Sequence, residues 1–227
     1  MRLTITFFTC ALVWAATAAP ASAERFELGM GSVSRWMPSG SVLSLHDGSS
    51  TGLGLDAAVQ VGAVAGLSLA VDGSYATDAV SGRTFQRMDT ETRTHALLVG
   101  VRAQRAVAPL TEAYGRVAAG AIRVAATLDD DYAAESVSDH GWGAALYAGA
   151  GVEVLPIRRV GAGGRGRFAL GVRAELGYLA MTPVALTGRS PDADMPAGAI
   201  EIPAHAASLG RLNMSALTLG LSAVARF

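Results

Sequence analysis

The feature that most constrains this chain is a strict alternation of apolar residues with polar or small ones along long segments. In the last segment, Leu217, Leu219 and Leu221 are separated by Thr218 and Gly220. Successive side chains of a β-strand point to opposite sides, so a period of two predicts a strand with one apolar face. The fold must therefore place one side of each such strand in apolar surroundings.

Eight segments carry this alternation, and many of them are long. They are residues 25–36, 53–61, 67–75, 97–104, 112–127, 142–154, 168–178 and 216–227. Strands that cross a membrane need about 9–11 residues, whereas most strands of soluble proteins have about 5–6. Apolar residues make up 51% of the chain, and they follow the period of two. The pattern predicts an all-β fold, an eight-stranded antiparallel transmembrane β-barrel.

Residues 1–23 have the parts of a secretory signal peptide. One basic residue, Arg2, precedes a long apolar stretch that ends in Ala21-Ser22-Ala23. A charged start, an apolar middle and a small-residue exit predict cleavage near Ala23, with a transmembrane anchor as the alternative. The barrel domain is then residues 24–227. The one cysteine, Cys10, lies in the leader, so the mature protein has no disulfide and no thiolate chemistry.

The connections between the eight segments alternate in length. The short ones are residues 63–64, 106–111 and 157–166, and the longer, polar ones are residues 37–50, 79–91, 128–140 and 184–208. Short periplasmic turns and long extracellular loops are typical of outer-membrane barrels. An even number of strands also places both ends of the barrel on the short-turn side.

Aromatic residues fall near both ends of the predicted strands. The periplasmic belt is Phe26, Tyr114, Phe168 and Phe227, and the outer belt is Trp36, Tyr75, Trp142 and Tyr178. Aromatic rings favour the two boundaries between hydrocarbon and water. These belts were not used to place the strands, so they support the barrel independently.

With these features the chain resembles the small outer-membrane β-barrel proteins of Gram-negative bacteria, of the OmpA, OmpX and OmpW type. The resemblance covers the mature chain and rests on the alternation, the strand count and the terminal Phe227. It implies that Leu217, Leu219, Leu221 and Phe227 form a C-terminal insertion signal, although Ala225 is smaller than is typical there. It also implies an outer-membrane location, with membrane lipid, lipopolysaccharide and the barrel-assembly machinery as partners.

Charged residues of the strands lie mainly on the face opposite the apolar one. They are Glu27, Asp56, Asp72, Arg102, Arg116, Glu153, Arg173 and Glu175. An arginine facing lipid at the midplane costs about 2–4 kcal/mol, so this lumen charge network is expected to point inward. Eight strands leave only enough interior for side chains, and paired charges are expected to plug it. A small pore for ions or small solutes is the alternative, favoured by the many glycines on the same face.

The segment 112–127 does not fit one strict alternation. Arg116 and Arg123 fall on opposite faces of a regular strand, and a β-bulge between them would bring both to the inner face.

The expected function is non-enzymatic, with a structural or surface-interaction role. The histidines His46, His95, His140 and His205 map to the outer loops or outer rim. Ser138-Asp139-His140 is the one catalytic candidate, but adjacent residues rarely form a triad. A rim-site hydrolase, like the omptin-type proteases and lipid A deacylases, is the alternative.

No cofactor, metal site or nucleic-acid partner is expected. The acidic stretch in residues 128–140 lacks the ligand spacing of an EF-hand loop, and the net charge of −1 gives no basis for nucleic-acid binding. Loops 128–140 and 184–208 are the expected contact sites for an extracellular partner, because loops carry the variable surface of such folds.

Overall fold

A computed structural model describes residues 26–38, 48–84, 88–130, 137–160, 167–188 and 207–227. The predicted leader, His46 and His205 lie outside these residues. Within them, no helix is long and apolar enough to cross a membrane.

The described residues form ten β-strands, and eight of these close into one barrel. The strands are β1 (Phe26–Trp36), β2 (Ser49–Val64), β3 (Leu67–Thr84), β4 (Met88–Ala108), β5 (Thr111–Asp130), β6 (Val137–Val160), β7 (Arg167–Met181), β8 (Val184–Gly188), β9 (Ala207–Leu212) and β10 (Ala216–Arg226). All except β8 and β9 belong to the barrel, whose pairs are antiparallel and which β1 closes against β10. The predicted eight-stranded antiparallel barrel is confirmed.

The alternation in the sequence separates an apolar outside from a mainly polar inside. Leu53, Leu97 and Leu221 leave 65%, 59% and 53% of their surface exposed, whereas Arg102 and Glu153 leave 3% and 1%. A continuous apolar outer surface of this extent would aggregate in water. It is therefore the surface that meets hydrocarbon.

The two ends of the barrel differ in their connections. At the end where Phe26 and Phe227 lie, which we call the inner end, Ala65 and Gly66 join β2 to β3 with φ of 51° and 79°. Two residues with positive φ make the tight hairpin turn whose twist matches that of the strands. The opposite end, with Trp36 and Trp142, is the outer end.

At the outer end, strands extend into regions where the sequence predicted loops. Most of 79–91 belongs to β3 and β4, and most of 128–140 belongs to β5 and β6. Here the strands have passed the apolar belt, so their outward side chains need not be apolar. The backbone pairing continues although the hydrophobic alternation stops, and these two loop predictions are wrong over most of their length.

No bulge is present in the segment 112–127. The register of β5 runs without a shift from Glu112 to Asp130 against β4 and from Thr111 to Leu128 against β6. Arg116 therefore points into the barrel and Arg123 points outward.

A second, unpredicted sheet is formed by the two ends of the segment 184–208, which the sequence suggested was irregular and exposed, and it continues to Leu212. Strands β8 and β9 pair as an antiparallel hairpin; residues 189–206 lie outside the described residues. Val184, Leu186 and Leu212 of this hairpin are buried. They join a cluster with inward-facing side chains of the barrel, which include Met37, Val80, Ile122, Val124, Leu179 and Met181. We call this cluster the apolar layer, and it lies at the outer end.

The tight approach of β5 to β4 predicts a position-specific effect of a larger side chain. A Cβ added at Gly120 would overlap the backbone oxygen of Leu97, whereas nothing lies within 4 Å of a Cβ added at Gly115. Gly120→Val should destabilise the barrel by about 1–3 kcal/mol or more, and Gly115→Val should leave it folded. The measurement is the fraction of heat-modifiable barrel on gels after refolding in detergent, and equal fractions for the two variants would contradict this packing.

Candidate functional site

The inner half of the lumen contains a network of charged side chains, which we call the inner charge layer. Its members are Glu27, Asp56, Arg102, Glu112, Glu153, Arg173 and Arg226. Arg173 of β7 lies at its centre. Its Nη1 is 2.8 Å from Asp56 Oδ2 and its Nη2 is 2.9 Å from Glu153 Oε2, and it also pairs with Glu27. One guanidinium thereby connects four strands across the lumen.

Arg226 is the second centre of the inner charge layer. Its Nε lies 2.9 Å from Glu27 Oε2, its Nη1 2.8 Å from Glu112 Oε2 and its Nη2 3.0 Å from Glu153 Oε1. Arg226 and Glu112 were absent from the predicted network. The alternation of β10 and the position of Glu112, four residues before Arg116, were the signals that could have identified them.

Glu175 occupies the middle of the lumen and accepts hydrogen bonds from two tyrosines. Tyr114 Oη donates to its Oε2 at 2.5 Å, and Tyr147 Oη donates to its Oε1 at 2.6 Å. Nearby, Arg116 Nε lies 2.8 Å from Asp72 Oδ2. The predicted lumen residues are thus brought together. Two tyrosines join them, and their neutral hydroxyl groups can donate hydrogen bonds to a desolvated carboxylate.

The prediction that Tyr114 belongs to the periplasmic aromatic belt is wrong. Only 6% of Tyr114 is exposed, and the guanidinium carbons of Arg102 and Arg173 lie 5.5 Å and 5.4 Å from its ring centre. The prediction rested on the position of Tyr114 near the inner end of its strand. The alternation instead decides which side of the barrel wall a residue faces, and Tyr114 faces the lumen together with Arg116.

A separate ion pair lies between the inner charge layer and the apolar layer. Arg35 Nη1 is 2.7 Å from Asp78 Oδ1 and donates to Thr94 Oγ1 at 2.8 Å. The hydroxyls of Ser50 and Thr94 donate to the Asp78 carboxylate. Asp78 lies beyond Tyr75, where the predicted strand 67–75 ends, so the apolar alternation did not predict this pair.

A cavity of about 110 Å³ separates the Arg35–Asp78 pair from the inner charge layer. Its lining includes Asp72, Arg116, Glu175 and Thr218. Among the described residues, Asp72 Oδ1 has no hydrogen-bond partner. Apolar residues such as Leu98 and Leu179 line it as well. A cavity of this size has room for a few water molecules beside its polar side chains.

The other predicted belt residues lie on the outside of the barrel. Phe26 and Phe227 are 41% and 49% exposed at the inner end, and the Phe227 ring packs against Phe168 at 5.4 Å. The outer-end residues Trp36, Tyr75, Trp142 and Tyr178 are exposed as well. Along β10, Leu217 and Leu221 are exposed and Leu219 is half-buried.

The one catalytic candidate is divided between two faces of β6. Ser138 and His140 are exposed on the outward face, and Asp139 falls on the inward one. Asp139 Oδ1 accepts a hydrogen bond of 2.7 Å from the backbone N–H of His140. A triad needs the carboxylate to hold the imidazole ring, and this contact does not do so. Among the described residues, no group of three or more His, Cys, Asp or Glu side chains is placed to hold a metal ion.

Removing the central arginine should destabilise the barrel more than removing an exposed one. In Arg173→Met, the carboxylates of Glu27, Asp56 and Glu153 lose their shared counter-charge, and the free energy of unfolding should fall by about 3–5 kcal/mol. Arg93→Met breaks only the exposed Arg93–Glu91 pair, which should cost less than about 1 kcal/mol. Urea unfolding of the detergent-solubilised barrel measures both, and similar midpoints would show that the lumen pairs carry no special stability.

Comparison with solved structures finds matches of low sequence identity. Two crystal structures of Ail, the attachment invasion locus protein of Yersinia pestis, one in complex with the heparin analogue sucrose octasulfate, match with TM-scores of 0.46 and 0.47 at 16% identity. Each alignment covers 91% of this chain and 100% of that chain. Neisserial surface protein A matches with a TM-score of 0.40 at 12% identity, over 90% of this chain and 96% of that chain.

No family model and no curated protein matches the sequence. The described residues form a closed eight-stranded antiparallel β-barrel.

Proposed function

We propose that this chain is a non-enzymatic outer-membrane barrel that acts through its outer surface and whose lumen is closed to solutes. The observation that carries the proposal is the filling of the lumen at two heights, by paired charges and by apolar side chains. A closed scaffold leaves the outward face and the loops as the parts that can contact other molecules.

The inner charge layer supports closure because its members are mutually paired and five of the seven, all except Asp56 and Glu112, are buried. Arg173 and Arg226 each contact three carboxylates. Opening a path between them would leave desolvated charges without partners, which costs several kcal/mol. A permeating ion would also have to replace several hydrogen bonds at once.

The apolar layer supports closure by a different mechanism. Val184 and Leu186 from the hairpin pack among Ile122, Val124 and Leu179, and each of these is at most 2% exposed. An apolar constriction excludes ions because it does not hold water.

The outer-membrane location is supported by the predicted leader, the apolar outer surface and the aromatic side chains at both ends of the barrel. In this proposal Leu217, Leu219, Leu221 and Phe227 are the signal for the barrel-assembly machinery. The segments 128–140 and 184–208, which include strand residues at the outer end, are the contact sites for an extracellular partner in this proposal, although residues 131–136 and 189–206 lie outside the described residues.

A small pore is the second candidate, and the cavity of about 110 Å³ in the middle of the lumen favours it. A rim-site hydrolase is not proposed, because Asp139 and His140 occupy opposite faces of β6.

Fractionation of cells tests the location. The protein should be extracted from outer membranes only with detergent and should migrate faster on gels unheated than heated, since a paired barrel resists detergent at room temperature. Recovery as a compact monomer in the periplasmic extract would contradict the proposal.

Planar-bilayer recording tests closure at two heights. The unmodified barrel should show no steady conductance. The double variant Leu186→Ser with Leu212→Ser disrupts only the apolar layer. The double variant Arg173→Ser with Glu153→Ser disrupts only the inner charge layer. Neither double variant should conduct ions, because one closed layer remains in each. The variant with all four substitutions should conduct, because ions must pass both layers and only this variant opens both. A steady ion-selective current through the unmodified barrel would favour the pore instead.

A further inference from the structure

The cavity in the middle of the lumen is lined by a buried carboxylate oxygen that no described residue satisfies. Asp72 is 4% exposed and lines the cavity of about 110 Å³. Its Oδ1 has no hydrogen-bond partner among the described residues. A buried polar atom of a folded protein is normally satisfied by a protein group, by water or by a bound ion. A group inside the cavity must therefore supply this contact.

The charged side chains that line the cavity leave one carboxylate without a counter-charge of its own. Three of the lining guanidiniums each have a carboxylate within 2.8 Å, namely Arg35 with Asp78, Arg102 with Glu27 and Arg173 with Asp56. The fourth, Arg116, is shared, because its Nε is 2.8 Å from Asp72 Oδ2 and its Nη1 is 3.7 Å from Glu175 Oε1. Among the described side chains at this height, the carboxylates therefore exceed the guanidiniums by one charge.

Water alone does not remove this excess charge. A water molecule can donate a hydrogen bond to Asp72 Oδ1, but it is neutral. Hydrocarbon surrounds the barrel at this height, and the apolar layer and the inner charge layer separate the cavity from bulk water along the lumen. An uncompensated charge in such surroundings carries a large free-energy penalty. A bound cation would supply both the missing contact and the missing charge.

The groups around the cavity favour a hard cation with a single charge. Among the described residues that line it, oxygen atoms are the available ligands, and no His, Cys or Met side chain is present. Soft metal ions and those that prefer nitrogen are therefore disfavoured. A divalent ion would exceed the single excess charge beside Arg102 and Arg116, and calcium sites draw on six to eight oxygen ligands. An alkali cation matches the charge and accepts protein oxygens in place of part of its hydration shell.

Hydroxyl groups and arginine nitrogens complete the surroundings of such an ion. The lining hydroxyls are those of Ser74, Thr218 and Ser222. Arg116 Nη2 donates to Ser74 Oγ at 2.7 Å, which leaves a lone pair on that oxygen for another contact. The Nε atoms of Arg35 and Arg102 have no acceptor among the described residues, and water molecules on the ion can accept from them. The cavity has room for an ion with a few water molecules.

We propose that the lumen cavity binds one partly hydrated alkali cation, with Asp72 Oδ1 as its charged ligand. The ion is enclosed as the barrel folds, because the apolar layer and the inner charge layer close the lumen on either side of it. The enclosure rests on the proposed closed lumen, whereas the site itself rests on the unsatisfied carboxylate and the local excess of charge. The ion is then a structural part of the barrel.

Refolding of the full chain in detergent tests the site. Sodium or potassium chloride is mixed with N-methyl-D-glucamine chloride at constant total concentration, so that only the identity of the cation changes. An alkali ion that binds only the folded barrel should raise the folding equilibrium constant about tenfold for each tenfold increase in its concentration above the dissociation constant. The large organic cation should have no such effect. The folded fraction is measured over a urea series from the mobility of unheated samples on gels.

Two carboxamide variants separate a specific site from a general effect of charge. Asp72→Asn removes the charged ligand and leaves Arg116 and Glu175 as a matched pair, so it should fold without dependence on the alkali ion. Asp56→Asn is the matched control, since Asp56 lines the same cavity but lies 2.8 Å from Arg173, and it should keep the dependence. Only the dependence on the alkali ion is compared, because both changes also alter the lumen ion pairs.

Crystals of the unmodified chain refolded with thallium(I) nitrate provide a second measurement that needs no variant. Thallium(I) replaces potassium and scatters anomalously. An anomalous peak in contact with Asp72 Oδ1 supports the site, and anomalous peaks that lie only on the surface of the barrel contradict it.

The inference fails if all three chlorides stabilise the barrel equally, if Asp72→Asn keeps the dependence, or if Asp56→Asn loses it as well. It also fails if acid stabilises the barrel and alkali ions do not, since a proton on Asp72 would then provide the compensation. In each of these cases a barrel that does not conduct keeps its proposed function. A steady current through the unmodified barrel would instead contradict the closed lumen and leave the cation dependence as the measure of the site.

Discussion

The closed ring of backbone hydrogen bonds is the constraint on which the rest of this structure depends. Hydrocarbon offers no partner to an N–H or C=O group, so strands can cross it only when no edge is left open. The seam is completed by β1 and β10, where Phe227 N donates to Phe26 O at 2.9 Å and Phe26 N donates to Phe227 O at 3.3 Å. Once the ring is closed, every second side chain of eight strands is directed into one narrow interior. The fold therefore forces the inward charges into contact with one another.

Two kinds of contact fill this narrow interior, ion pairs and the packing of apolar side chains. Towards the inner end, Arg173 meets carboxylates from β1, β2 and β6, so ion pairs connect strands that are not neighbours in the sheet. Towards the outer end, the hairpin of β8 and β9 places apolar side chains against the inward faces of the barrel strands. A membrane barrel with a closed lumen needs complementary groups in each layer that closes it, because an unpaired buried charge or an empty space there lowers stability.

Local alternation was enough to assign faces but not partners. Glu27, Asp56 and Arg173 could be placed inside because the face of a strand residue depends only on its parity. Their pairing depends on the register between strands, which the sequence does not contain in any one segment. Tyr114 was misplaced because height along a strand was used where parity decides. The hairpin was not predicted because strands as short as Val184–Gly188 give little alternation to detect. The outer parts of β3 to β6 were not predicted because strands that extend beyond the membrane lose the apolar pattern while they keep their backbone pairing.

Strand β5 shows how one scaffold can carry two independent surfaces. Arg116 and Arg123 are seven residues apart, and an odd separation in an unbulged strand puts them on opposite sides of the wall. Arg116 is held by Asp72 within the lumen, and Arg123 lies among small and aromatic residues outside it. A substitution at an outward position leaves the lumen pairs untouched, because the backbone of the strand separates the two sets of contacts. The outer face can therefore acquire binding groups without loss of the paired interior, and the regular alternation that closes the barrel is also what frees its surface to take on a function.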